Sequence, residues 1–209
     1  MKSIDSVTLE VADLAAAQEF YALAFGCDPR ILLRPGDAPT SGFRGFTLSI
    51  LVDGPASVDA FFDAALAAGA ERLKPAKKQL WGGYSGVVRA PDGAIWKVAT
   101  EAKRGSGPAS RTIDGIALIL GVADMAEAKR LYVERGLTVA RSFGGKYVEF
   151  EAPGSSIKLG LYKRRSLAKD AGVPAEGSGS HRLVIGPDSG RFTDPDGFAW
   201  EPSEEAARR

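Results

Sequence analysis

An internal repeat constrains this 209-residue chain more than any other feature of its sequence. At residues 11–26 the order is Val-Ala-Asp-Leu, then Phe-Tyr, then Gly; at residues 122–136 it is Val-Ala-Asp-Met, then Leu-Tyr, then Gly. A second motif, Pro-Asp-Gly-x-x-Trp, occurs at residues 91–96 and again at residues 195–200. Two motifs that recur in the same order predict two copies of one structural module.

Composition predicts where one copy ends and the next begins. Residues 102–112 are polar and rich in Gly, Ser and Pro, which is typical of a linker. We therefore predict a first module at residues 1–101 and a second at residues 113–209. The first motif recurs after 111 residues and the second after only 104, so the second module is shorter. We attribute the difference to the loss of a helix that residues 58–68 are predicted to form in the first module.

Hydrophobic periodicity predicts an α+β fold for each copy. Residues 4–11 alternate apolar with polar side chains, as a half-buried strand does. Asp13 is suited to begin the helix that follows, and Gly26 is suited to end it. The second half starts with the same strand and helix, and residues 163–180 are predicted to be a long connection.

The overall charge and the cysteine content exclude several classes of protein. The chain has 27 basic and 26 acidic residues, for a net charge of +1, so no strong field attracts nucleic acid or an anionic membrane. No run approaches the ~20 apolar residues of a membrane span. The first nine residues lack the apolar core of a signal peptide. Cys27 is the only cysteine, which fits a reducing compartment, and we expect a cytoplasmic protein.

The two motifs resemble those of a known superfamily. A strand, Val-Ala-Asp-Leu and a Phe-Tyr helix ending in Gly resemble the opening of a glyoxalase/bleomycin-resistance/extradiol-dioxygenase module, also called a vicinal oxygen chelate (VOC) module. Pro-Asp-Gly-x-x-Trp resembles the last hairpin of such a module. The resemblance covers nearly the whole chain and implies two tandem VOC modules of paired βαβββ units, whose curled mixed sheets form cups. Members include lyases, isomerases, dioxygenases and antibiotic-binding proteins, so the fold does not fix the function.

The resemblance implies where metal ligands would lie in the first module. Family ligands come from the first strand, the strand that opens the second unit and the last strand. Here these positions hold Ser6, a strand at 46–52 without His, Glu or Asp, and Lys97. A protonated lysine has no lone pair and repels a cation, so we expect no metal in this first cup. We expect Lys97 to point into the cup and to pair with an anionic ligand or with Glu10.

The same positions in the second module keep two candidate metal ligands. The first-strand position holds an alanine, the strand that opens the second unit begins at His181, and the last strand supplies Glu201. Imidazole and carboxylate groups suit Fe, Mn, Ni, Co or Zn. A third ligand would have to come from Asp114, Glu149 or another strand. The alternative is that His181 is a satisfied edge-strand histidine and that Glu201 is a surface carboxylate or pairs with Arg182.

A second group of residues is predicted to bind an organic ligand. Trp81 and Tyr84 flank a Gly-Gly pair in a hairpin that lies at the cup rim in the family, where aromatic rings can stack on a flat molecule. With Ser6, Thr8 and Lys97 they make up the predicted ligand-binding set.

Four further aromatic residues are assigned by strand alternation. Trp96 and Trp200 each precede a predicted ligand position by one residue, so they face away from the cup and are predicted to be core. Tyr147 and Tyr162 lie on strands of the second module, where they either line a pocket or pack against their neighbours.

Three functions remain open at this point. The first is a VOC-superfamily protein, glyoxalase-like or bleomycin-resistance-like, that binds a small molecule, aromatic molecules among the candidates, and is largely independent of metal. The second is a metal-dependent glyoxalase-type lyase or isomerase, or a dioxygenase, that uses His181 and Glu201. The third is a non-catalytic interaction protein. We expect a small-molecule partner, no nucleic acid or membrane partner, and a monomer or homodimer.

Overall fold

A computed structural model describes residues 1–80, 82–102, 108–151, 153–188 and 190–202. The described helices are α1 Leu14–Phe25, α2 Pro55–Ala67, α3 Met125–Glu134 and α4 Arg164–Ala171. The strands of the first half are β1 Ile4–Val11, β2 Ile31–Pro35, β3 Thr40–Gly42, β4 Phe46–Leu51, β5 Glu71–Lys78, β6 Tyr84–Arg89 and β7 Ile95–Thr100. Those of the second half are β8 Gly115–Val122, β9 Val139–Phe143, β10 Tyr147–Phe150, β11 Ile157–Lys163, β12 Gly177–Gly179, β13 Leu183–Pro187, β14 Phe192–Thr193 and β15 Ala199–Trp200.

The largest sheet combines strands from both halves of the chain. Its eight strands lie in the order β5-β6-β7-β4-β8-β11-β10-β9, four from each half. The halves join where β4 pairs antiparallel with β8, with Ser49 opposite Ala117. The sequence pattern predicts one cup inside each half, whereas the strand pairing builds this sheet from the end of one half and the beginning of the other.

The second sheet also crosses the halves, but it is smaller. Its order is β14-β15-β13-β1-β2, with β1 antiparallel to β13 and parallel to β2. The short strands β3 and β12 pair separately. In the eight-stranded sheet, β8 and α3 are followed by three strands of that sheet. In the five-stranded sheet, β1 and α1 are followed by β2 alone, so no further described strand of the first half extends this sheet into a cup wall.

The second half differs from the first in its helices. Among the described residues, no helix separates β13 from β14, which confirms that the second module lacks the helix corresponding to α2. The connection at residues 163–180 is not an extended loop, because α4 forms at its start. The longest described helix, α2, has thirteen residues, and none of the described helices is long and apolar enough to cross a membrane.

The ends of the first helix in each half follow the repeat. The Asp13 carboxylate accepts a hydrogen bond from the Ala16 N–H at 3.0 Å, and Asp124 caps α3 in the same way. Gly26 ends α1 in the left-handed conformation, at φ 78°. A glycine adopts this conformation at little cost because it has no Cβ. The capping residues predicted from the repeat are therefore present in the structure.

The two predicted core tryptophans belong to matching buried clusters. Trp96 and Trp200 are both fully buried, which confirms the prediction. In the first half, the Tyr21 hydroxyl donates to Asp92 at 2.9 Å and accepts from the Trp96 indole at 3.2 Å. In the second half, the Tyr132 hydroxyl donates to Asp194 at 2.5 Å, and the Tyr132 and Trp200 rings lie 5.3 Å apart.

Candidate functional site

The concave face of the eight-stranded sheet encloses a cavity of about 660 Å³. Side chains from β4, β7, β8, β9, β10 and β11 line it, together with α4. In a flat sheet, β7 and β9 would lie five strand spacings, or about 24 Å, apart. Because Lys97 of β7 and Phe143 of β9 line the same cavity, the sheet is curled into a cup.

Alternation along the strands determines which residues face this cup. On β4, Thr47, Ser49 and Leu51 line the cavity, while the intervening side chains enter the main core. The residues opposite Ser49 on the two neighbouring strands are Lys97 and Ala117, so these three residues form a row across the floor of the cup.

Two hydroxyl groups on the cup floor have no hydrogen-bond partner among the described residues. Thr47 and Ser49 are each only 7% exposed. In the described part of the chain, neither side-chain hydroxyl makes a hydrogen bond. Neither oxygen is among the fully buried polar atoms without a partner, so both open onto the cavity, where water or a ligand group can hydrogen-bond them. They are therefore suited to hydrogen-bond a polar group of a ligand.

Three aromatic rings line the opposite wall of the cup. Tyr147 meets Tyr162 edge to face, with ring centroids 5.9 Å apart, and Phe143 stacks on Tyr147 at 6.2 Å. Phe143 is 63% exposed, although it is a large apolar side chain. Burial, followed by the nearby Glu149 carboxylate, raises the pKa of Tyr147 to about 12, so this phenol stays neutral at ordinary pH. The wall offers flat apolar surface together with the neutral hydroxyl of Tyr147.

Helix α4 covers one end of the cup. Leu167, Ala168 and Ala171 pack in a cluster with Val87 and Ile95 from the inner face of the sheet.

At its last turn, α4 carries a charged residue that reaches the cup floor. Asp170 places a carboxylate oxygen 3.1 Å from the Lys97 ammonium group. The expectation that Lys97 points into a cup holds, but its partner is Asp170. Glu10 instead pairs with Arg34 at 2.6 Å, in the five-stranded sheet.

Of the described members of the predicted ligand-binding set, only Lys97 lines this cavity. Ser6 and Thr8 lie on β1 in the other sheet, opposite Gly186 and Val184. The Tyr84 hydroxyl donates to Asp59 of α2 at 2.9 Å.

Trp81 lies outside the described residues. Strand pairing across the halves is the reason for this separation, because it places β1 and β7 in different sheets.

The two candidate metal ligands are engaged in other contacts. The His181 ring nitrogens face the carbonyl oxygens of Arg44 and Asp196. A neutral imidazole has one N–H and donates to one of these carbonyls, while its other nitrogen also faces a carbonyl oxygen rather than an open coordination position. Glu201 lies 3.7 Å from each of two arginines, Arg34 and Arg191.

The described residues of the cup and of the predicted metal positions do not fit a divalent cation. In the cup, the strands that supply ligands in the resembled family carry the hydroxyls of Thr47 and Ser49, the ammonium of Lys97 and the methyl of Ala117. An ammonium group and a methyl group cannot ligate a metal, and the Asp170 and Glu149 carboxylates of the lining contact Lys97 and the Tyr147 hydroxyl instead. Within the described residues, no group of three or more His, Cys, Asp or Glu side chains is placed to hold a metal ion.

Several residues of the cup were not singled out from the sequence. Thr47 and Ser49 belong to no motif, and only the alternation of β4 indicates that they share a face. Asp170 lies in the connection that was predicted to lack a helix. The spacing of Leu167, Ala168 and Ala171 is that of one helical face, and this signal could have identified α4.

Comparison with known proteins identifies the fold. No family model matches the chain, and no curated protein matches it either. Among solved structures, glyoxalase I from Zea mays is 14% identical, with 96% of this chain and 91% of that chain covered and a TM-score of 0.62. For a mutant of the same enzyme, 95% of this chain and 92% of that chain are covered, and the TM-score is 0.62.

A protein from Bacillus subtilis subsp. subtilis str. 168, itself only proposed to be a dioxygenase, is also similar. It is 13% identical, with 89% of this chain and 70% of that chain covered and a TM-score of 0.55. At these identities the likeness concerns the fold, and it extends over both halves. Together with the repeat and the curled sheet, it shows that the chain has the fold of the vicinal oxygen chelate superfamily.

Proposed function

We propose that this protein binds a small organic molecule with a flat apolar part in the cup of the eight-stranded sheet, without a divalent metal. One observation carries the proposal: the cavity of about 660 Å³ has, on its floor, two hydroxyls with no partner among the described residues and, on its wall, stacked aromatic rings. Ligand pockets typically combine such apolar walls with a few convergent polar groups. The volume is in the usual range for small-molecule sites.

The floor hydroxyls and Lys97 lie on different strands from the aromatic rings of the wall. Ser49 and Lys97 come from the first half, on β4 and β7, whereas Tyr147 and Tyr162 come from β10 and β11 of the second. A ligand that touches both parts therefore spans the junction between the halves. This division supports a molecule with a polar group at one end and a ring at the other.

The metal-dependent alternative has less support from the geometry. His181 faces two carbonyl oxygens, and Glu201 lies between two arginines. A lyase, isomerase or dioxygenase that used these two side chains would first have to break both sets of contacts. Glyoxalase I from Zea mays shares the fold with this chain, but the fold alone does not transfer its activity.

Binding can be tested with naphthalene derivatives as probes. We expect ligand-observed NMR to detect 2-naphthoate or 2-naphthamide on the purified full chain, and we expect EDTA to leave the dissociation constant unchanged. Protein dialysed against Zn²⁺, Mn²⁺ or Fe²⁺ in turn is the control. If neither probe binds, or if binding requires one of these metals, the proposed function is wrong.

A substitution at Gly160 tests whether the aromatic wall contacts the ligand. A Cβ at this position would lie 2.8 Å from Ile119 Cδ1 and 3.3 Å from the Tyr147 ring, so Gly160→Ala must move one or both. We expect naphthalene binding to weaken about two- to tenfold, the worth of one aromatic contact. Stability should fall by about 1–3 kcal/mol from overpacking.

A glycine on a neighbouring strand provides the matched control. At Gly115 of β8, the nearest atom to an added Cβ is Leu51 Cδ1 at 3.5 Å, an ordinary contact. Gly115→Ala should therefore leave probe binding unchanged in the same titration. Equal affinities for the two variants would show that the ring wall does not take part in binding.

A further inference from the structure

We propose that the ligand of the cup is an organic carboxylate whose acid group binds Lys97 in the place of the Asp170 carboxylate. This inference rests on the proposed function and specifies its ligand class. Asp170 of α4 already presents a carboxylate to Lys97, at 3.1 Å, within the cavity. The protein thus shows which chemical group this position accepts.

The donors around this position suit a carboxylate. Lys97 lies in register with Ser49 on β4, and the Lys97 side chain is 23% exposed. The Ser49 and Thr47 hydroxyls have no acceptor in the described part of the chain, and a carboxylate has about four lone-pair sites to offer. An acid group at Lys97 would therefore satisfy an ammonium and the hydroxyls on the same floor.

The charges of the lining favour an anion once Asp170 turns away. Three cationic side chains line the cavity, and three carboxylates balance them: Lys97, Arg141 and Lys146 against Glu101, Glu149 and Asp170. Displacing Asp170 leaves three cations against two carboxylates. A ligand with one negative charge restores the balance, whereas a neutral ligand does not.

Exchange requires little more than a rotation of the Asp170 side chain. That side chain is 50% exposed, and exposed ion pairs contribute only about 0–1 kcal/mol. The helix itself is held by other contacts. Arg164 donates to the Phe43 and Ala175 carbonyls at its start, and Lys74 donates to two carbonyls at its end. Helix α4 can therefore stay in place while its carboxylate moves into solvent.

Matched probes and matched variants test the inference on the full chain. The probes are 2-naphthoate and 2-naphthamide, which share a ring system and differ in charge. The variants are Lys97→Met, Asp170→Asn and, as a control, Lys77→Met on the exposed edge strand β5, outside the cavity. Dissociation constants come from NMR titration at low salt, and thermal melting by circular dichroism shows that each variant is folded.

The three variants are expected to affect the binding of the two probes in different ways. Lys97→Met should weaken naphthoate binding about tenfold or more, because a charge-assisted hydrogen bond is lost, and change naphthamide binding less than about twofold. Asp170→Asn should strengthen naphthoate binding about two- to fivefold, since a competing carboxylate is removed. Lys77→Met should change neither.

The outcomes that overturn the inference can be told apart from those that overturn the proposed function. If naphthamide binds as tightly as naphthoate, or if Asp170→Asn brings no gain, the cup binds small molecules but not through carboxylate exchange. If Lys97→Met weakens both probes equally, Lys97 shapes the cup without recognising charge, and the inference again fails. Absence of binding by both probes overturns the proposed function together with the inference.

Discussion

Separately produced halves of this chain, residues 1–102 and 108–209, are expected not to fold as monomers and to regain the native fold when mixed. The reason is the pairing of β4 with β8 and of β1 with β13, which joins both sheets across the halves. The junction of the large sheet buries six apolar side chains, Phe46, Leu48, Ile50, Ile116, Leu118 and Leu120. Each stabilises by about 1.5–3 kcal/mol when buried, and a whole domain is stable by only about 5–15 kcal/mol.

Circular dichroism, NMR dispersion and size-exclusion chromatography measure this outcome. The control is the intact chain with a protease site introduced between residues 102 and 108, which should stay associated and folded after cleavage. A half that is monomeric and unfolds cooperatively by itself would contradict the expectation and support independent modules at 1–101 and 113–209. A half that self-associates through its free strand edge would be consistent with the pairing seen here.

The repeat predicts the modules because its signals are local. Asp13 and Asp124 cap helices through their own neighbours, and Gly26 ends a helix by its own conformation. Trp96 and Trp200 follow the same tight turn in both halves, so alternation assigns both to the core. Features of this kind depend on a few consecutive residues, and a single sequence contains them.

The pairing of strands across the two halves, in contrast, does not follow from local sequence signals. The opening strands of the units carry the same alternation, so the pattern is satisfied equally well by pairing inside a half or across halves. Alternation tells which residues of β4 share a face, yet it does not say that Ser49 will lie opposite Ala117. The cup was therefore assigned to the wrong combination of strands, and Ser6 was grouped with Lys97.

The acid that reaches Lys97 was missed for a related reason. Asp170 is distant in sequence, and its position depends on how α4 packs against the concave face. Helix α4 has only eight residues, a length at which periodicity is a weak signal. The site thus combines Lys97, which the resemblance predicted to point into a cup, with contacts that only the packed chain creates.

Replacing Asp194 by alanine is expected to destabilise the protein by about 3 kcal/mol or more. The Asp194 carboxylate is buried and accepts hydrogen bonds from the Tyr132 hydroxyl, the Asp196 N–H and the Phe198 N–H. Asp194→Ala would leave these donors without a partner in the core, and each such loss costs about 1–3 kcal/mol. Urea unfolding at neutral pH measures the change.

The first half provides a matched control for this substitution. Asp92 accepts from the Tyr21 hydroxyl and the Ala94 N–H, but it is only partly buried, so water can replace its bonds. Asp92→Ala should therefore cost about 1–2 kcal/mol. Equal losses for the two substitutions would show that burial does not distinguish the two clusters.

The shifted pKa of Asp194 also predicts how the stability of the fold changes with pH. Burial raises the pKa of this carboxyl above its ordinary value of 3.8, although hydrogen bonds from Tyr132 and from the backbone partly oppose the shift. The folded state then holds the proton more tightly than the unfolded state. The contribution of the group to stability is full below 3.8 and is lost as the pH rises through the folded-state pKa.

Asp194→Asn should remove this pH-dependent contribution to stability, because the amide does not titrate. Relative to Asp194→Asn, the native protein should therefore lose stability as the pH rises above 3.8, and the difference should level off once the folded-state carboxyl is ionised. Unfolding free energies of both proteins, measured across the acidic range, give this difference directly. A native protein that instead gains stability over that range, relative to the variant, would mean that its hydrogen bonds outweigh burial at Asp194.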